Sequence, residues 1–167
     1  MFSWLADWVS STSLTEASRA FLGSASVVPP LVQTIHLSGV VLLTACVIFP
    51  SIGIFTASPV LFKYHQFRAY GFRCFWVAIG MMLSSGLPFF LARPYRYASN
   101  PVFSIKAGLL LVGLPLAIAV LLIYRRQLES RWYLKLLAVI TIMVWVALIL
   151  AGRWIAYSEY LFWPGDF

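Results

Sequence analysis

The side chains able to do chemistry in this sequence are few, and most sit at the ends of apolar runs. His36 lies in the stretch LVQTIHLSGVVLLTACVIFPSIGIFTASPVLF, residues 31–62, which carries no charged side chain. An imidazole about one and a half turns into such a stretch is costly unless it has a partner or a task. Lys106 falls five residues after Pro101, ~8 Å into the third apolar segment. Arg153 marks the far end of the fourth, with Tyr157 one turn further on the same side. Arg93, with Tyr95 and Arg96, lies between the second and third. If these ends share one membrane face, His36, Lys106, Arg153 and Tyr157 converge beneath it beside Gln33 and Thr34. Several cations around one neutral imidazole suit an anionic partner: a carboxylate, a phosphate or haem propionates. Glu159, Glu16 and Asp7 are carboxylates of the chain itself that could serve.

Three ligand chemistries are open to such a cluster. Haem b could take His36 as its histidine ligand, with Met81 or Met82 as the sixth, since His and Met both serve as axial ligands. Met82 is eleven residues from Arg93, ~16 Å deep, so its depth matches that of His36 only loosely. A quinone is the second candidate. Copper is the third, because His36, Met81, Met82 and Cys46 are donors of suitable softness, although no spaced motif gathers them. A bis-histidine haem within one protomer is excluded, because His36 and His65 are 29 residues apart, or ~43 Å of helix. His65, among Lys63, Tyr64, Gln66 and Arg68, reads as a solvated loop residue. Cys46 falls mid-span and Cys74 at the start of the next, so both read as packing thiols without a disulfide. No CxxC, HExxH, GxxxxGK[ST] or GxSxG pattern occurs. Beside these stands a structural reading, in which Lys106 and Arg153 snorkel to headgroups and His36 donates to a backbone carbonyl.

The elements that must position these groups follow from composition. Of 167 residues, 62% are hydrophobic and only 10% charged, far below the roughly one quarter of soluble domains. The expected fold is an all-α integral membrane protein, a four-transmembrane-helix bundle with spans at about 31–58, 70–92, 101–124 and 131–157. Pro50 is expected to kink the first span. Asn100-Pro101 supplies an N-cap followed by a proline at the first helical position of the third. Residues 1–30 form an interfacial N-terminal segment of amphipathic helices rather than a signal peptide. Phe2, Leu5 and Val9, with Trp4 and Trp8, make its apolar face, and Ser13 to Glu16 reads as a capping box. Gly23 and Pro29-Pro30 are expected to end this segment before the first span.

The net charge of +7 is membrane orientation rather than nucleic-acid binding. Lys63, Arg68, Arg73, Arg125, Arg126, Arg131 and Lys135, against Glu129, lie by the first and third inter-span loops. The opposite side carries Arg19, Arg93, Arg96, Lys106 and Arg153 against Asp7, Glu16, Glu159 and Asp166. The imbalance puts both termini in the periplasm, if the membrane is the bacterial inner one.

The runs TIHLSGVVLL, LARPYRYASNPVFSIKAGLLL and AGRWIAY, with the lead-in WL…SLTEASRA…VVPPLVQTIH, resemble a group of bacterial four-span inner-membrane proteins known only as a domain of unknown function. More distantly, NPVFSIK is similar to copper-resistance D-type membrane proteins, which implies copper handling at the periplasmic face. This chain is half their usual length and lacks obvious further Met or His ligands. Together these readings give a small inner-membrane subunit or accessory protein rather than a free-standing enzyme. Its periplasm-side pocket is expected to bind haem b or quinone in an electron-transfer system. A copper-handling role and a purely structural or assembly role are the alternatives. Its expected partners are the lipid bilayer and other membrane subunits or further copies of itself.

Overall fold

A computed structural model describes residues 3–56, 65–126 and 131–157. Seven α-helices follow one another among these residues: α1 (Ser3–Ser10), α2 (Ser13–Gly23), α3 (Val28–Thr56), α4 (His65–Ala92), α5 (Pro94–Ala98), α6 (Pro101–Arg126) and α7 (Trp132–Trp154), closed by a 3-10 turn at Ile155–Tyr157. No strand occurs among them. Phe2, Pro59, Lys63, Tyr64, Glu129, Glu159, Tyr160, Trp163 and Asp166, and the side chains of His65, Gln66 and Arg68, lie outside what is described.

Four stretches are long and apolar enough to cross a bilayer: Val28–Thr56, Tyr70–Ala92, Pro101–Arg126 and Trp132–Trp154. The protein is therefore a multi-pass helical membrane bundle. In hydrocarbon a helix satisfies its backbone within itself, so apolar surface all round is no obstacle to it. Proline is tolerated where the lost bond is cheap or compensated. Pro29 and Pro30 do not end the preceding segment as expected. They sit in the first turn of α3, where the amide hydrogens have no intrahelical acceptor anyway. Pro50, Pro88 and Pro115 lie inside α3, α4 and α6, and each helix continues through them.

α3 packs against α4, α6 and α7, so it is the central post of the bundle. A core cluster of Leu43, Cys46, Val47, Phe75, Ala78, Ala117, Leu121 and Trp145 joins all four spans. Trp145 donates its indole N–H to Thr44 Oγ1 at 3.3 Å, while that hydroxyl donates to the carbonyl of Val40 at 2.6 Å. The helices α3 and α4 come close at Gly39. A Cβ there would meet Met81 Cβ at 3.1 Å, Met82 Cγ at 3.3 Å and the Ala78 carbonyl at 3.4 Å. A small residue permits that backbone approach.

The N-terminal helices are docked on the bundle, and this redraws the expected apolar face. Ala6 and Val9 are buried, and α1 packs on α5, a short helix inside what reads from sequence as a plain loop. Trp4 and Trp8 point the other way. The α-helical face is set by what α5 offers, which sequence periodicity does not contain. Tyr95 donates to Asp7 Oδ1 at 2.9 Å, and Ser10 Oγ lies 3.2 Å from the same phenol. α2 packs on α4, with Arg19 Nε donating to the Ala92 carbonyl at 2.9 Å. The capping box does not form. Thr12, not Ser13, is the N-cap, and no side chain caps the helix. Its hydroxyl is taken instead by the Val9 carbonyl at 2.6 Å. By contrast, Asn100 Oδ1 accepts from the Val102 amide at 2.9 Å and caps α6.

Candidate functional site

The site is best built outward from His36. Antiparallel packing of α3 on α4 brings Ser85 to it, and Nδ1 lies 3.0 Å from Ser85 Oγ. Ser85 Oγ also has the carbonyls of Met81, one turn earlier on α4, and Met82 within hydrogen-bond reach. With the hydroxyl hydrogen given to a carbonyl, Ser85 accepts from Nδ1–H and the neutral ring keeps its lone pair on Nε2. The Met82 carbonyl also faces the ring. Gly86 leaves room for it, since a Cβ there would sit 3.4 Å from Cε1 and 3.6 Å from Nδ1.

Lys106 reaches the same level from α6. Its ammonium lies close enough to His36 for the two to interact electrostatically. It also covers Gly152 of α7, where a Cβ would stand 3.5 Å from Nζ and 3.8 Å from Cε. Among the described residues Lys106 makes no hydrogen bond and meets no carboxylate. A half-buried ammonium without a counter-ion is costly, and the remedy is an acceptor beyond the described residues.

The other basic groups take different places. Arg153 is exposed, donates from Nη2 to Tyr157 Oη at 2.9 Å and lies 5.1 Å from that ring's centroid. The two form a pair of their own on the outside of α7, and Gly152 rather than Arg153 faces Lys106. Arg93 is exposed at the start of α5. Glu16 and Gln33 are exposed, Asp7 is engaged by Tyr95, and Thr34 donates to the Pro30 carbonyl at 2.8 Å. His36 and Lys106 are thus brought together, without Arg153, Tyr157 or Arg93.

The metal donors spread along the α3–α4 seam. Met81 and Met82 pack against Gly39, about one turn inward of His36. Cys46 lies ten residues from His36, or ~15 Å along α3. Both it and Cys74 are free thiols. No group of three or more His, Cys, Asp or Glu side chains that could hold a metal occurs among the described residues. His65 begins α4 twenty residues before Ser85, ~30 Å away along one helix, which keeps it far from His36.

Sequence reading missed the groups that complete the site. Ser85 and Gly86 are ordinary small residues until the packing shows what faces them. An aromatic wall also closes the N-terminal side. Phe90 lies one turn beyond Gly86 on α4, and Phe103 one turn before Lys106 on α6. Their rings stack at 5.7 Å and 12°, with Tyr97 at 6.0 and 5.6 Å from the two. The arrangement offers one lone-pair nitrogen, one free ammonium and an aromatic boundary at a single depth. No family model matches the chain, and neither a curated protein nor a solved structure matches it.

Proposed function

We propose that this protein is a small subunit of the bacterial inner membrane that holds the oxygen-bearing head of a quinone at His36 and Lys106, within an electron-transfer system. The observation that carries this reading is the Lys106 ammonium, half-buried beside His36 and without a protein acceptor among the described residues. A quinone carbonyl accepts from such an ammonium. In the quinol state a hydroxyl can donate to His36 Nε2. The Phe90–Tyr97–Phe103 wall suits a planar ring, and a membrane-soluble ligand needs no aqueous route in.

A haem b reading draws on the same ring, because an Nδ1–H held by Ser85 is how a ligating histidine is oriented. An absorption spectrum of gently solubilised protein, before and after dithionite, separates the two, with lipid extraction for quinone. Extractable quinone without a Soret band supports the proposal. A Soret band lost in His36→Ala replaces it with haem. Bound copper without a porphyrin spectrum points to metal handling, and empty assays with a co-purifying protein point to an assembly subunit.

The charge imbalance between loops supports periplasmic termini and a periplasm-side site. Single cysteines placed at Ser11 and Ser99 should then label with a membrane-impermeant maleimide from the periplasm, and labelling only after lysis would reverse the orientation.

A further inference from the structure

We infer that α1 and α2 form a lipid-immersed shelf, docked on the bundle by one side and sunk by the other into the leaflet at its N-terminal end. Each helix has two distinct faces. On α1 the inner face is Ala6 and Val9, while Trp4 and Trp8, one turn apart, are 65% and 61% exposed. On α2 the inner face is Thr15 with half-buried Ser18 and Leu22. Its outward stripe is Leu14, Ala17 and Phe21, spaced i, i+3, i+7, with Leu14 and Phe21 each 51% exposed.

Three observations identify lipid as what covers these stripes. Exposed apolar side chains resume at Val27 and follow through Leu31 and Ile35, one turn apart, down the first membrane span. A span's outer surface meets acyl chains, and the shelf extends that surface sideways. Two of the charges near the stripes are engaged by the bundle, since Asp7 accepts from Tyr95 and Arg19 donates to the Ala92 carbonyl, while Glu16 stays exposed at the edge of the α2 stripe. Finally, paired tryptophans are the side chains that settle at the headgroup boundary, where the ring is apolar and the N–H stays wet. The shelf also sets the depth of the candidate site. Arg19 ties α2 to Ala92, and Ser85 lies seven residues deeper, ~10 Å below the shelf.

The test uses the full chain, alone, in phosphatidylcholine vesicles carrying a lipid brominated near the top of its acyl chains. Tryptophan emission is compared between the native protein and a Trp4→Phe/Trp8→Phe variant, with aqueous iodide as a second quencher. The part of the emission lost in the variant should be the part that brominated lipid quenches and iodide does not. If that part is instead quenched by iodide, or is indifferent to bromolipid, the shelf faces water or a protein partner and the inference fails. Neither result depends on what occupies His36 and Lys106.

Discussion

A serine hydroxyl has one hydrogen to give, and Ser85 Oγ has the carbonyls of Met81 and Met82 within reach. The proposal for His36 rests on that hydrogen going to a carbonyl, which leaves Nδ1 as the donor and the lone pair on Nε2. Ser85→Ala removes that acceptor and leaves the ring only the Met82 carbonyl, at a cost of about 1 kcal/mol. We expect a lower Tm in detergent and a quinone affinity reduced by about tenfold, the size that ~1.4 kcal/mol confers. Lys106 should behave in the opposite way. A buried charge lacking a partner is destabilising, so Lys106→Met should hold or raise Tm while quinone binding falls at least about tenfold. Loss of both stability and binding would mean that the ammonium is structural. His36 and Lys106 were legible in the sequence because an ionisable residue in an apolar run is conspicuous. Ser85 and Gly86 were not, since their roles come from which atoms face them across the α3–α4 seam. Arg153 looked equivalent to Lys106 by depth alone, yet its rotamer joins it to Tyr157 outside the bundle.

At the scale of elements, the α3–α4 seam carries the site, and Gly39 sets its spacing. Gly39→Leu must push Met81 and Met82 away, which overpacking data value at about 1–3 kcal/mol. Because the seam also sets the His36–Ser85 distance, we expect this variant to lose quinone affinity together with Tm, measured by titration and thermal unfolding. Tyr95→Phe should act more narrowly. It frees Asp7 and Ser10 at the surface, so the bundle should keep its Tm to within about 1 kcal/mol while protease cleaves α1 sooner. The four apolar helices were readable from composition and hydropathy, since nothing else satisfies a backbone in lipid. The N-terminal helices were readable as helices but not by face. Ala6 and Val9 turn inward because α5 is there to receive them, and a five-residue helix beginning at Pro94 leaves little periodic signal.

For the molecule as a whole, the bundle presents apolar surface to the bilayer along its spans, with His36 and Lys106 set near one end of them. On the quinone proposal the central post α3 contributes the histidine, and the flanking spans contribute the ammonium and the aromatic wall. The most direct check on the central claim is a titration of delipidated protein with a short-tailed quinone, followed by the resonance of His36 Nε2 in protein carrying nitrogen-15 histidine. The account predicts saturable binding near one quinone per chain, a shift at Nε2 with Nδ1 still protonated, and loss of saturation in Lys106→Met. A titration that never saturates, or one that saturates equally well in His36→Ala and Lys106→Met, would contradict it.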